Sequence, residues 1–339
     1  MNMKRYAKYH FLKNIILLPV LIFIGFVITS NVVTRSWWGD RIFLTLSPLA
    51  FFAYASAMVI PIIEFKDFTN KRNLDTIYSL PISRKALFAV HYLTGLVYVL
   101  VPYVFSALYS FAQMTEAKGW SIGYFWPYFF MELLFVIALY SFMTLAVVIG
   151  NTLRDGVVLV LMYHYFPSLL MTTIAMIVGR IKYGEEYLFQ YKDMSVIYEY
   201  TTNTVPSSVS SKLSAAFEEA ISEKSAPDLS VFGYVVFVII GIAALFAAHY
   251  VFTHKRTVLI GEATTSPLGF TTLITATTLL LYVSTYNGGR LIAIRLMLLA
   301  ITYIAYALQY RSLKIGKKNL IVLGVLGVLA VLPLNLGIY

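Results

Sequence analysis

Long apolar stretches follow one another along this chain and are separated by short polar segments. A membrane-spanning helix needs about 20 mainly apolar residues. Nine stretches approach this length, at about residues 15–33, 42–63, 87–112, 124–149, 156–178, 231–253, 268–285, 291–310 and 320–338. The first is long for a cleaved signal peptide and lacks a small-residue cleavage site. The pattern therefore predicts an all-α, polytopic membrane protein.

Composition supports this class. The 339 residues are 59% hydrophobic and only 12% charged, whereas soluble domains carry about 25% charged residues. The net charge is +10, but basic loops beside a membrane account for it, so nucleic acid is not an expected partner. The chain has no cysteine, which excludes disulfides, thiolate metal sites and cysteine nucleophiles.

The distribution of basic and aromatic residues predicts the orientation. With the N-terminus in the cytosol, most of the 26 lysines and arginines fall in cytosolic segments, as the positive-inside rule requires. All four tryptophans then lie at the outer interface, namely Trp37, Trp38, Trp120 and Trp126. We therefore expect a multi-pass protein of the plasma membrane with a cytosolic N-terminus.

The segments predict three parts. Residues 1–14 read as a basic helix lying on the inner leaflet, or alternatively as a simple basic flank of the first span. Residues 15–253 form a six-span core, and residues 254–339 form a three-span C-terminal appendage.

An extracellular insert is predicted at residues 179–230. Within it, Ser211–Lys224 fits a short helix that Pro227 ends. One face of that helix is apolar, with Leu213, Phe217, Ala220 and Ile221. The insert is either a lid over an outer exit or a solvated loop with a stapling helix.

A short polar segment, residues 64–86, lies between the second and third apolar stretches, and we call it the elbow. Pro81 divides it because proline ends a helix, and Ser83 is placed to cap a second helix that enters the third span. Before Pro81, one helical face is apolar, with Leu74, Ile77 and Tyr78. The alternative is an ordinary charged loop.

The run Ser79-Leu80-Pro81-Ile82-Ser83-Arg84, which follows Glu64 and leads into a span, resembles the corresponding loop of permease subunits of type-2 ABC exporters. The usual Gly-Thr pair of that family is replaced here by Asn73-Leu74-Asp75-Thr76, and Leu80 separates the serine from the proline. The six-span core and the insert between spans five and six fit the same pattern, so the resemblance covers roughly residues 1–253.

The resemblance implies a dimer, formed with a second copy or a sister permease. It also implies separate ABC ATPase subunits that bind ATP and Mg²⁺ and dock on the elbow as a coupling helix, switching the spans between two states. The implied coupling residues are Glu64, Asp67, Lys71, Arg72, Leu74, Asp75, Ile77, Tyr78, Leu80 and Pro81. Substrates of this family often enter near spans two and five.

Several chemical motifs are absent from the sequence. There is no G-x-x-x-x-G-K-[ST] phosphate loop, so we expect this chain to bind no ATP itself and to be no enzyme on its own. The five histidines (His10, His91, His164, His249 and His254) are scattered along the chain, so no metal site is expected. We also expect this chain to bind no cofactor of its own.

Ionisable residues within apolar stretches are costly and point to function. Glu132 lies in the fourth stretch, and His164 lies in the fifth beside Pro167, which bends a helix and frees a carbonyl. Together with Tyr163 and Phe166 they are our candidates for a substrate path, although packing roles are an alternative.

The function expected from the sequence is export of a hydrophobic or amphipathic substrate, powered by a separate ATPase. A short peptide toxin or antimicrobial is the first hypothesis, as in the exporters of phenol-soluble modulins, and drugs or lipid-linked compounds follow. The alternative function is an ion-coupled secondary transporter. Such a protein would require carboxylates placed as a relay within the membrane, and it often has paired sequence repeats. A membrane enzyme would require clustered catalytic groups. Besides the ATPase and the second permease, we expect membrane lipid as a partner of this chain.

The orientation can be tested by cysteine labelling, because the chain has no cysteine of its own. We predict that in intact cells a membrane-impermeant maleimide labels Ser208→Cys and leaves Thr69→Cys unlabelled until the cells are permeabilised. The reverse pattern would invert the predicted topology.

Overall fold

The computed structural model is helical apart from one short hairpin, and it describes residues 3–35, 42–70, 73, 77–115, 122–183, 206–223, 227, 231–255, 260, 262, 264, 266, 269–284, 291–310 and 316–331. The elements are α1 (Met3–Lys13), α2 (Leu17–Thr29), β1 (Val33–Arg35), β2 (Ile42–Leu44), α3 (Ser47–Phe65), α4 (Arg84–Thr115), α5 (Phe125–Ile149), α6 (Leu153–Tyr183), α7 (Pro206–Glu223), α8 (Val231–His254), α9 (Phe270–Ser284), α10 (Leu291–Tyr310) and α11 (Lys317–Val331). Short 3₁₀ turns, Lys66–Thr69 and Ile122–Tyr124, follow α3 and precede α5.

The helices α2 to α6 and α8 form an up-and-down bundle with two distinct ends. At one end, which we call the junction end, α1 lies against the last turn of α3 and the first turns of α4. At the other, which we call the insert end, α7 contacts α3 and α5. The orientation predicted from the sequence would put the junction end in the cytosol, and it stays a prediction.

Helix α5 lies at the centre of the bundle. It packs against α3, α6 and α8, and residues on every side of it are buried, including Phe135, Val136, Leu139 and Tyr140. The contact with α8 is especially close: a Cβ on Gly241 would lie 2.4 Å from Cβ of Ala138. Small residues allow two membrane helices to approach in this way.

The outer surface of the bundle is strongly apolar. On α8, Phe246 is 70% exposed, Tyr250 64% and Ile239 59%, as expected for side chains that face lipid. Within the described residues, four helical segments are long and apolar enough to cross a membrane, and a fifth is reached if α1 and α2, which are bent by 48°, are counted as one span. The chain is thus a membrane-spanning helical protein, whereas the six-plus-three layout stays a prediction.

Two boundaries between predicted spans and loops differ in the structure. Residues 42–44 form a strand rather than the start of the second span, pairing Thr34 with Phe43. The β-branched residues around this hairpin favour extended structure, and the N–H of Thr45 donates to the carbonyl of Val32 at 2.9 Å. At the other boundary, α6 continues to Tyr183, inside the segment predicted as an aqueous insert.

The insert helix and the C-terminal helices both pack on the bundle. The predicted apolar face of α7 is buried, with Leu213, Phe217, Ala220 and Ile221 almost fully enclosed, which confirms that amphipathic pattern. Helix α9 packs on α6 and on α10, and α10 packs on α11. The appendage is therefore attached to the core through α6.

We predict that Gly241→Ala destabilises the protein, because its methyl group would overlap Ala138 and force α5 and α8 apart, at a cost of about 1–3 kcal/mol. The control is Gly324→Ala in α11, where a Cβ meets nothing within 4 Å and alanine is the better helix former. Thermal unfolding in detergent should show a lower Tm for the first variant only. Equal melting temperatures would contradict the close α5–α8 contact.

Candidate functional site

Three side chains from three helices meet at the junction end, and we call them the junction cluster: His10 of α1, Glu64 of α3 and His91 of α4. Nε2 of His10 lies 2.7 Å from Oε2 of Glu64, and Nδ1 of His91 lies 3.6 Å from the same oxygen. All three residues are buried. A carboxylate is therefore held away from water between two imidazoles, and together they join segments distant in sequence.

The hydrogen bonds of His91 define its resting tautomer. Nδ1 lies 3.0 Å from the backbone carbonyl of Glu64, which can only accept, so Nδ1 carries the proton. Nε2 then accepts from the hydroxyl of Tyr6, 3.0 Å away. Tyr6 and His10 are one helical turn apart, so one face of α1 contacts both α3 and α4.

The environment of the cluster is apolar and tightly packed. The ring of Phe68 lies 4.7 Å from that of His91. A Cβ on Gly95 would come within 2.9 Å of Cγ of Glu64 and even closer to the hydroxyl of Tyr140, so any larger residue there would displace these side chains. At the edge of the junction cluster, Nζ of Lys13 lies 3.9 Å from Oδ2 of Asp67.

The elbow folds back on its own chain. Ile77, Tyr78 and Leu80 are half-buried against the hydrophobic core, whereas Pro81 is exposed. Ser83 caps α4 by accepting from the N–H of Ala86 at 3.3 Å, as predicted. Four of the proposed coupling residues lie outside the described residues: Lys71, Arg72, Leu74 and Asp75.

Asp67, the remaining acidic coupling residue, is tied to the elbow itself, since its carboxylate accepts from the side-chain amide of Asn73 at 3.0 Å. Arg84 lies over the ring of Tyr78, with 4.8 Å from its guanidinium carbon to the ring centroid. Burial raises the pKa of Tyr78, and the nearby Arg84 opposes that rise.

Arg84 and Lys255 connect the elbow to the ends of α5 and α8. The guanidinium of Arg84 donates to the carbonyl of Lys255 at 2.8 Å. The ammonium of Lys255 donates to the carbonyls of Val148, at 2.7 Å, and Gly150, which satisfies the C-terminus of α5. Burial lowers the pKa of Lys255 to about 8, although Asp155 opposes the shift.

The candidate substrate-path residues lie in two separate places. Nδ1 of His164 is hydrogen-bonded to the hydroxyl of Tyr54, between α6 and α3. Tyr163 is buried, with its ring 5.2 Å from that of Phe142 on α5, and Phe166 is half-buried.

Glu132 faces the insert rather than His164. Its Oε1 accepts from the hydroxyl of Ser210 on α7 at 2.9 Å, while Oε2 has no hydrogen-bond partner within the described residues. The structure therefore gives Glu132 and His164 different partners, on α7 and on α3 respectively.

A second carboxylate fixes the insert end. Oε1 of Glu218 on α7 accepts from the N–H groups of Leu46 and Ser47, the latter at 3.1 Å. These groups begin α3 and lack partners within the helix, so Glu218 acts as an N-cap supplied from elsewhere in the chain. Phe217 adds a ring contact to Tyr128, with centroids 5.7 Å apart.

The junction cluster was not anticipated from the sequence. The histidines are scattered along the sequence, but the fold brings His10 and His91 together, with ring centroids 3.9 Å apart. Only the fold of α1 back onto α3 and α4 brings them together, because His10 and Glu64 are 54 residues apart. The available signal was the pairing of Tyr6 and His10 on one face of α1.

No protein-family model, no curated protein and no solved structure matches this chain.

We predict that Glu218→Ala loosens α7, because two backbone donors at the start of α3 lose their acceptor at a cost of about 1–2 kcal/mol. The control is Glu219→Ala, since the neighbouring Glu219 is exposed. Limited proteolysis should cleave around α7 faster in the first variant. Equal rates for both variants would contradict the capping role.

Proposed function

We propose that this chain is the transmembrane subunit of an ATP-driven exporter of the type-2 ABC kind, working in the plasma membrane with a separate ATPase. The observation that carries the proposal is the position of the elbow. It links α3 to α4 at one end of the bundle, and its sequence resembles the coupling segment of such permeases.

The contacts of the elbow support a role in transmitting force. The ring of Phe68 lies 4.8 Å from that of Phe252 near the end of α8. Arg84 binds the carbonyl of Lys255, which in turn binds the end of α5. A displacement of the elbow would therefore act on α3, α4, α5 and α8 together, which a nucleotide-driven switch requires.

Docking of an ATPase would use the exposed side of the elbow. Because Ile77 and Tyr78 pack on the core of their own chain, they serve best as the internal support of the docking surface. Among the described residues of the elbow, the exposed positions around them are Lys66, Asn70, Ser79, Pro81, Ser83 and Lys85. ATP and Mg²⁺ belong to the partner in this scheme.

The proposed substrate is amphipathic or hydrophobic, with a short peptide first and drugs or lipid-linked compounds second. The polar pair of Tyr54 and His164 lies between α3 and α6, which are spans two and five of the proposed core. Neighbouring side chains on α6 are apolar and exposed, including Tyr165 and Leu161. A polar pair within an apolar surface suits a molecule with both characters.

An ion-coupled secondary transporter is the alternative, and Glu132 is the observation in its favour. This carboxylate is fully buried and has one oxygen without a hydrogen-bond partner in the described residues, a common feature of proton-carrying sites in membranes. Such a transporter needs no ATPase partner, so one experiment separates the two functions.

The test is affinity purification of the full chain from its native membrane, followed by identification of bound proteins. We predict that an ABC ATPase co-purifies and that the complex, but not the chain alone, hydrolyses ATP. Pro81→Trp should reduce the bound ATPase by about tenfold, because a bulky side chain disrupts a closely packed interface.

Glu219→Trp, which adds the same bulk to an exposed residue at the insert end, is the matched control and should retain the ATPase. Both variants must be compared at equal abundance in the membrane. Absence of any ABC ATPase, with transport that follows a proton gradient instead, would replace this proposal with the ion-coupled one.

A further inference from the structure

The junction cluster has the composition of a transition-metal site. It offers two imidazole nitrogens and one carboxylate, from His10, His91 and Glu64, and their ligand atoms all lie within 4.8 Å of one another. Two histidines and one carboxylate, with a fourth position for water, form a common zinc ligand set. The members come from three helices, so a bound ion would connect all three.

The charges of the cluster favour a cation. The two imidazole rings are buried and their centroids are only 3.9 Å apart, so they repel each other if both are protonated. Neutral imidazoles are the form that binds metals. Oε1 of Glu64 is buried and has no hydrogen-bond partner in the described residues, which is costly for a carboxylate oxygen unless another group compensates it.

The ligand atoms lie within 4.8 Å of one another, so binding one ion requires the side chains to adjust. Ligand atoms about 2.0–2.1 Å from a tetrahedral zinc ion lie roughly 3.3 Å from one another. The 2.7 Å between His10 and Glu64 would lengthen slightly, and the 3.6 Å between His91 and Glu64 would shorten slightly. The rings and the carboxylate can make both changes by rotation.

The surroundings also supply an outer shell. When Nδ1 of His91 binds a metal, it gives up its proton and Nε2 becomes the donor, which the hydroxyl of Tyr6 at 3.0 Å can accept. Ligand histidines usually have such a partner, which fixes the ring. The aromatic ring of Phe68 shields the other side.

We propose that His10, Glu64 and His91 bind one Zn²⁺ ion that fastens the N-terminal helix α1 to α3 and α4. Binding of the ion at Nδ1 moves the proton of His91 from Nδ1 to Nε2, where the hydroxyl of Tyr6 can accept it. This proposal does not depend on the transport function, because it concerns only groups within this chain.

The test uses the purified full chain in detergent, stripped with a chelator and then titrated with Zn²⁺ or Co²⁺. We expect uptake of one ion per chain, a visible Co²⁺ spectrum typical of tetrahedral nitrogen and oxygen ligands, and a higher Tm with Zn²⁺. Mg²⁺ should not compete, because it prefers six oxygen ligands.

Substitutions in the junction cluster test whether the metal ion binds there. His10→Gln and Glu64→Gln should abolish both the uptake and the Co²⁺ spectrum, and Tyr6→Phe should weaken Zn²⁺ binding by about tenfold through loss of its hydrogen bond to the ring. His254→Gln, at an exposed histidine outside the cluster, is the control and should bind like the wild type.

If a variant fails to fold, the Co²⁺ spectrum of the wild type still shows whether the junction cluster binds a metal ion. No uptake by the wild type, or an octahedral spectrum that persists in folded Glu64→Gln, would show that the cluster is a hydrogen-bond network without a metal.

Discussion

A buried carboxylate governs the architecture of this protein. Glu64 lies at the end of α3, away from water and next to two imidazoles. An isolated charge in such a place costs several kcal/mol, so the carboxylate requires partners. Those partners come from α1 and α4, and this requirement is what holds a basic, otherwise weakly attached N-terminal helix against the bundle.

A carboxylate also holds the opposite end of α3. There, Glu218 of the insert helix accepts the first backbone donors of α3. A single helix is thus fixed at both ends by carboxylates, one of its own and one from a distant segment. Between these ends the contacts are mainly apolar and depend on small residues such as Ala53 and Ala57, which are fully buried. The hydrogen bond between Tyr54 and His164 of α6 is a polar exception. Polar contacts therefore align the helix ends, while close packing joins the middle of the bundle.

The sequence predicted the features that depend on local pattern. The helices, the amphipathic face of α7 and the cap at Ser83 all follow from periodicity and residue type within a few turns. The junction cluster and the cap at Glu218 did not follow, because each joins residues that the chain separates widely, 54 residues for His10 and Glu64 and 172 for Glu218 and Leu46. The pairing of residues 33–35 with residues 42–44 was hidden because the apolar, β-branched residues there look like the ends of two spans.

Hydrogen exchange of the purified protein tests most directly whether Glu64 holds α1 in place. In the wild type, the amides of α1 should exchange slowly, and in Glu64→Ala they should lose most of their protection while those of α5 and α8 keep theirs. That result would show a local attachment through the carboxylate. Unchanged protection of α1 in the variant would contradict the central role of Glu64, and a uniform loss across all helices would contradict the view that the cluster acts on α1.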